Sequence, residues 1–134
     1  AWMLPALHGH LPVDEASTVT VADFFMPFAK AATFPWKSHA LWFYSQMVRW
    51  GQVQHTEENA HIARECYRPD IYRAALKSLG IALPVANAKV EGALAVATPV
   101  GSAGASLVLG PDGFFDGGLF DPSKLDSYIE GQKR

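Results

Sequence analysis

Apolar residues recur at helical spacing over residues 38–52, which makes this segment the clearest predicted helix of the chain. Leu41, Tyr44 and Val48 follow one another at intervals of three and four, and Ser38 is a residue type that favours the N-cap position. Further apolar area comes from Trp42, Phe43, Met47 and Trp50. Because only one position of the segment is charged, we expect this helix to be buried nearly all round.

Two shorter helices are predicted after it. Residues 56–66 begin with Thr56 as a cap and carry two glutamates in the first turn, where the helix dipole favours acidic groups. Residues 69–79 begin with Pro69, which suits the first helical position, and end before Gly80. The side of this third helix that is predicted to face inward carries Ile71, Ala74, Ala75 and Leu79.

The N-terminal part of the chain shows no clear period. Residues 1–19 are predicted to form an irregular or briefly helical segment, and residues 18–21 are β-branched throughout, which favours a short strand. Residues 22–32 are rich in apolar side chains, but Pro27 disfavours a regular helix there. We therefore expect a bent and mostly buried segment.

The C-terminal part changes character at residue 87. Gly, Ala, Val and Ser dominate over residues 87–110, so no long helix is predicted there. Residues 110–113 are typical of a turn, and residues 114–115 are a possible short strand. A last helix is expected from a cap at Asp121 through about residue 130, and its apolar side carries Leu125, Tyr128 and Ile129.

These elements predict a mainly helical α+β fold with a few short strands. Parallel-sheet domains alternate strands with helices, and the strands here are too few for a complete sheet. We therefore predict a portion of a larger fold, with residues 1–134 as a single piece. Within it, residues 20–86 form a helical core that carries the candidate site. Residues 87–134 add the Gly-rich segment, a hairpin-like turn and the terminal helix.

Composition strengthens the idea of a larger fold. The chain has 134 residues, of which 49% are hydrophobic and 18% are charged, whereas about 25% charged residues is usual for a soluble protein. Its mean hydropathy is +0.05. A domain of this size is expected to show more polar surface, so we expect a large apolar face that packs against the rest of a larger protein.

The charge balance and the single cysteine exclude several classes. With 11 Lys and Arg against 13 Asp and Glu, the chain lacks the excess of positive charge by which nucleic-acid-binding proteins neutralise phosphates. One cysteine excludes an internal disulfide and the cysteine-rich zinc sites. We therefore expect no nucleic-acid partner and no structural zinc.

The densest set of chemically active side chains lies at residues 33–39, where the first central helix begins. Helix N-termini attract anions, Lys37 adds a full positive charge, and Ser38 and His39 can donate hydrogen bonds. Trp36 or Phe34 supplies an apolar wall, which suits a flat and weakly hydrated anion. The alternative interpretation is purely structural: the serine caps the helix, the lysine is solvated and the aromatic rings belong to the core.

Other groupings point to structural roles. His61 shares one side of its helix with Glu58 and Glu65, but without a third ligand of known spacing this pattern favours a polar surface over a metal site. Cys66 lies in no nucleophile context and is expected to be a buried thiol. Turn and cap roles are predicted for Asp112, Asp116 and Asp121. No catalytic group, metal site or cofactor is predicted, so an enzyme is not expected.

Four stretches of the chain carry a family resemblance. They are residues 34–43 (FPWKSHALWF), 46–52 (QMVRWGQ), 67–72 (YRPDIY) and 113–122 (GFFDGGLFDP). Over roughly residues 20–130 the chain resembles the C-terminal part of the nitrate- and bicarbonate-binding solute-binding proteins of ABC transporters. It also resembles the cytosolic nitrate sensors that are related to them.

The resemblance implies a two-lobed α/β fold of the type II periplasmic binding proteins, which closes over a small oxyanion. Nitrate-type members pair the anion with a lysine, for which Lys37 is the candidate, with Trp36, Ser38 and His39 as possible neighbours. Bicarbonate-type members tend to be acidic and to use calcium. A lysine at this position therefore implies nitrate or nitrite and argues against a calcium-assisted site.

The resemblance also implies the biological context. We expect a nitrate- or nitrite-binding component of an ABC-type uptake system, periplasmic or membrane-associated through its transporter, with a permease as partner. The N-terminal part of the parent protein and most ligand residues would lie outside this chain. Two alternatives stay open. One is a cytoplasmic nitrate sensor that controls a regulatory protein. The other is a ligand-free interaction module, and the exposed apolar face could also pair two copies of the chain.

Overall fold

The computed structural model describes residues 4–22, 24–26, 28–100 and 107–132. The chain divides into two compact units, one ending at Thr33 and the other beginning at Phe34. Pro27, which is predicted to bend the first unit, lies outside the described residues, as do the first three residues of the chain. The predicted division between a helical core at residues 20–86 and a C-terminal part at residues 87–134 stays a prediction.

The described residues of the first unit form one short α-helix, one small antiparallel sheet and a 3₁₀ turn at Ala29–Ala31. Its elements are α1 (Leu4–Leu7), β1 (His10–Pro12) and β2 (Thr18–Thr20), with Leu11 opposite Val19. Gly9, at φ +75°, joins the helix to the sheet, and a side chain there would collide with the carbonyl group of Val21. The predicted strand is confirmed. The expected burial of the next segment is wrong, because Phe24 is 50% exposed and Phe25 is 55% exposed.

The second unit contains the four predicted helices. They are α2 (Lys37–Arg49), α3 (Glu57–Cys66), α4 (Pro69–Leu76) and α5 (Leu125–Gln132). Local capping sets several of their ends. The Thr56 hydroxyl accepts a hydrogen bond from the Asn59 N–H at 3.0 Å. Asp121 accepts one from the Ser123 N–H at 2.9 Å, at the start of a 3₁₀ turn that leads into α5. Helix α4 leads into a 3₁₀ turn (Lys77–Leu79), which Gly80 ends in the left-handed conformation, at φ +61°.

The strands of the second unit are few and short. Strands β3 (Thr98–Val100) and β4 (Leu107–Leu109) pair antiparallel, with Pro99 opposite Val108. Glu91 and Phe120 form a separate antiparallel bridge. The possible strand at residues 114–115 is wrong. These residues lie in a loop and the Phe115 side chain is fully exposed, so it has no sheet or core to pack against.

The core lies where α2 packs against α3 and α5. Its buried side chains are Leu41, Tyr44, Ala60, Phe120, Leu125 and Ile129. Phe120 has no exposed surface, and its ring meets that of Tyr128 edge to face at 4.8 Å between centroids. The fold is therefore mixed and mainly helical, with two small antiparallel sheets. Within the described ranges, no helix has the length and apolar character needed to cross a membrane.

Two predictions about helix burial are wrong. Helix α2 is not buried all round, because Phe43 is 54% exposed and Trp50 is 67% exposed. In the predicted third helix, residues 69–79, the side chains of Ile71 and Leu79 are 54% and 64% exposed and do not face inward. The chain thus keeps apolar surface that its own core does not use.

The central position of Phe120 in the core leads to a prediction about the free energy of unfolding. Phe120→Ala should lower the free energy of unfolding by about 3–5 kcal/mol, because it leaves a cavity in the core. Phe115→Ala is the matched control and should change it by less than about 0.5 kcal/mol, because that ring is solvent-exposed. Urea unfolding followed by tryptophan fluorescence measures both values. Equal effects of the two substitutions would contradict this core.

Candidate functional site

The four candidate residues lie together at the start of α2, but their side chains reach different surroundings. The helix begins at Lys37 with Trp36 as its N-cap residue. The Lys37 N–H donates to the Asn87 carbonyl oxygen at 2.8 Å. This contact satisfies one of the free N–H groups of the first turn. The prediction that Ser38 is the cap is therefore wrong, since this serine lies one residue inside the helix.

Lys37 is engaged by a carboxylate from the neighbouring helix. Its Nζ donates to Glu65 Oε1 on α3 at 2.7 Å, and only 19% of the lysine side chain is exposed. This hydrogen bond is the main reason that the pKa of Glu65 lies below its ordinary value. The ammonium group is thus not simply solvated, because it already holds one anionic oxygen.

The next two residues of α2 reach a buried carboxylate. Ser38 Oγ donates to Glu91 Oε1 at 2.5 Å, and His39 Nε2 lies 3.3 Å from Glu91 Oε2. Lys89 Nζ donates both to Glu91 and to Asp112. We call these five residues the Glu91 network. The Glu91 side chain is 7% exposed, so its charge is stabilised by these partners rather than by water.

The pKa of Glu91 reflects two opposing effects. Burial raises it, but the hydrogen bonds from His39, Lys89 and Ser38 lower it by more, so the pKa lies below its ordinary value. The carboxylate is therefore ionised at neutral pH. It binds the start of α2 to the segment that follows residue 87.

Trp36 faces a cavity on another side of the helix start. The residue is 4% exposed, and its ring meets that of Phe34 edge to face at 4.8 Å. It lines a mostly apolar cavity of about 340 Å³, to which Lys89 contributes the one charged side chain. The Lys89 ammonium lies 5.8 Å from the centre of the Trp36 ring. Trp36 thus lines this cavity together with Lys89, and its role as the wall of an anion site stays a prediction.

Arg73 holds the chain segment that borders this cavity. Its guanidinium group on α4 donates to the carbonyl oxygens of Pro84, Val85 and Ala86 and to the side-chain oxygen of Asn87, each at 2.8 Å. A planar group with five donors suits such a fan of acceptors. Because the Asn87 carbonyl also receives the first N–H of α2, this arginine helps to position the helix start.

Several of the other residue groups singled out in the sequence have structural roles. The thiol of Cys66 is exposed, so its predicted burial is wrong. The exposed side chains of Glu58, His61 and Glu65 agree with a polar surface. In the described parts of the chain, no three His, Cys, Asp or Glu residues are placed to hold a metal ion. The predicted turn and cap roles are confirmed for Asp116 and Asp121, which accept N–H groups two residues away. The prediction is wrong for Asp112, which accepts the Leu94 N–H from 18 residues away and the Lys89 ammonium group.

Sequence reasoning missed the carboxylates that engage the helix start. A signal for Glu91 was present: it and Lys89 are the only two charges between residues 87 and 110, and charges in an apolar stretch are usually paired when they are buried. For Glu65 there was no such signal, because its partner lies 28 residues away. At this site the lysine, serine and histidine of α2 all contact carboxylates of the same chain.

Comparison with known proteins gives three informative similarities. The nitrate/nitrite binding protein NrtA of Synechococcus elongatus is 28% identical over 132 residues, which are 96% of this chain and 25% of that protein. NrtA of Nostoc sp. is 30% identical over 105 residues, or 78% of this chain and 20% of that protein. The nitrate import ATP-binding protein NrtC of Synechocystis sp. is 28% identical over 67 residues, or 50% of this chain and 10% of that protein.

The similarity covers nearly all of this chain but a minor part of its relatives. The chain spans about a quarter of the length of the curated binding proteins it matches. No family model matches it, and no solved structure matches it. The similarity is therefore limited to a portion of these longer relatives.

The Glu91 network makes a prediction about pH. Because the pKa of Glu91 is lowered on folding, its contribution to stability is complete above its unfolded-state pKa. That contribution is lost as the pH falls through the folded-state pKa. Glu91→Gln should therefore cost about 1–3 kcal/mol at neutral pH. The difference from the wild type should shrink on acidification to about pH 3.

Urea unfolding across this pH range measures the difference. Glu130→Gln, which changes an exposed glutamate on α5, is the matched control and should leave the profile nearly unchanged. Parallel pH profiles for the wild type and Glu91→Gln would contradict a stabilising role for the ionised carboxylate.

Proposed function

The chain is related to the NrtA nitrate/nitrite binding proteins over almost its whole length, and on this premise we propose that it is part of the nitrate- or nitrite-binding component of an ABC-type uptake system. The single observation that carries the proposal is this extended similarity. The match to a nitrate import ATP-binding protein supports the same transport context. The function is capture and delivery of the anion, without chemical conversion.

The position of the chain within that component is also proposed. The portion corresponds to the C-terminal part of a two-lobed type II binding protein, and the remaining ligand groups lie in the rest of the polypeptide. Its partners are the permease and the ATP-binding protein of the transporter, and its location is the periplasm or the membrane surface. The named functions of the relatives are binding and import, so we do not propose a regulatory sensor.

Lys37 is the proposed anion ligand of this chain. Its Nζ holds a carboxylate oxygen of Glu65 at 2.7 Å, and nitrate resembles a carboxylate in being planar and singly charged and in presenting oxygen acceptors. Nitrate would take the place of Glu65 at the ammonium group, since both anions need the same donors. His39, with 40% of its side chain exposed, is the neighbour best placed to add a second hydrogen bond. Ser38 and Trp36 are buried and hold the helix start in position.

Substitution of the lysine tests this site. In the longer binding protein that contains this chain, Lys37→Gln should weaken nitrate binding at least about tenfold, because it removes one partner of a desolvated charge pair. Lys124→Gln is the control, since that side chain is 74% exposed, and it should leave the affinity unchanged. Isothermal titration calorimetry measures both. Unchanged nitrate affinity in Lys37→Gln would overturn the role of Lys37.

Removal of the competing Glu65 carboxylate should have the opposite effect on nitrate affinity. Glu65→Gln should tighten nitrate binding in the same protein by up to about fivefold, because it removes an anion that occupies the lysine and exposed ion pairs contribute little to stability. Glu58→Gln on the same helix is the matched control. Weaker nitrate binding in Glu65→Gln than in Glu58→Gln would contradict competition at Lys37.

The isolated chain is expected to bind nitrate weakly. A small anion needs several donors that surround it and exclude water, and this chain supplies only a part of them in the proposed arrangement. Calorimetry on the 134-residue chain should therefore give a dissociation constant above about 1 mM, which corresponds to roughly −4 kcal/mol. Sub-millimolar binding by this chain alone would contradict the proposal that most ligand groups lie elsewhere.

A further inference from the structure

An apolar groove runs between α2 and α3, away from the Glu91 network. It encloses about 410 Å³, and among the described residues none that lines it is charged. Phe43 and Met47 of α2 and Ile62 of α3 are among its lining residues. These three side chains are 54%, 40% and 53% exposed. Contiguous apolar surface of this kind, set in a groove, marks a site where another apolar element packs.

The groove is already formed in this chain. Each of its two helices is also anchored by the core, through Leu41 of α2 and Ala60 of α3. The capped start of α3 at Thr56 fixes the helix end nearest the connection to α2. A partner would therefore not need to rearrange the backbone, so most of the apolar area that it covers would stabilise the association.

We propose that an apolar segment of the longer binding protein, from the portion outside these 134 residues, packs into the α2–α3 groove. The chain spans 25% of the length of one curated relative and 20% of another, so about three quarters of such a polypeptide is available to supply this segment. Because such a segment belongs to the same polypeptide, its effective concentration at the groove is high. Contact with this one groove is therefore enough to hold it.

Geometry disfavours a second copy of this chain as the occupant. A two-fold interface brings the same patch of both copies together. Two facing grooves of about 410 Å³ each would leave an unfilled space between them, which loses packing contacts. A convex apolar segment fills the groove, and its side chains need no charged partner there.

Cys66 provides a built-in probe of this surface. It is the one cysteine of the chain, its thiol is exposed, and it lines the groove. If the groove is covered in the longer protein, a reagent will reach this thiol slowly. The readout does not involve nitrate, so the inference rests on the relationship to longer binding proteins and can fail or succeed independently of the role of Lys37.

The test compares the labelling rate of Cys66 by N-ethylmaleimide in two proteins, with peptide mass mapping to identify the site. We expect the rate in the folded longer protein to be at least about tenfold lower than in the 134-residue chain, since labelling then requires local opening. Equal rates would overturn the proposal. Protection in the 134-residue chain that grows with its concentration would also overturn it, because a second copy would then be the occupant.

Paired variants locate the protection at the groove. In the longer protein, Ile62→Asp should restore rapid labelling of Cys66, because it places a charge against the packed segment. Ile71→Asp is the matched control: this isoleucine has nearly the same exposure, 54%, but lies on α4 outside the groove. It should leave the thiol protected. Restoration of labelling by both variants, with circular dichroism showing both folded, would overturn the assignment to this groove.

Discussion

The buried carboxylate of Glu91 joins the start of α2 to the core of the second unit. Its side chain receives hydrogen bonds from Ser38 and Lys89, and its backbone forms a two-bond bridge with Phe120, the most deeply buried residue of the core. A charge in this position is stable only while its partners stay in place. The helix start, the segment after residue 87 and the core are thus held in one arrangement.

This constraint accounts for the contacts made by the positively charged first turn of α2. The side chains of the first three residues of α2 are held by carboxylates of the same chain, with Lys37 bound to Glu65 and the next two residues bound to Glu91. A site that already binds carboxylate oxygens has the donors that a planar oxyanion needs. In the proposed function, the half-exposed Glu65 is the partner that nitrate would replace, whereas the buried Glu91 keeps the turn in position.

The sequence predicted those features whose causes lie within a few residues. The cap at Thr56, the first-turn Pro69 and the cap at Asp121 were all identified, because each acts on backbone groups three or fewer positions away. The role of Ser38 was wrong because its partner is 53 residues distant. The burial of Cys66 was wrong because apolar periodicity tells which residues prefer burial and does not tell whether a neighbour covers them.

The sequence by itself determined the order and approximate ends of the helices, the mainly helical class and the relationship to nitrate/nitrite binding proteins. Local propensities, caps and a long stretch of similar residues are sufficient for these. Only the tertiary structure decided which helix faces are covered, that Lys37 pairs with Glu65, and that the groove beside Cys66 is open. These depend on contacts between segments far apart in the chain, whose free energies arise only when the chain has folded.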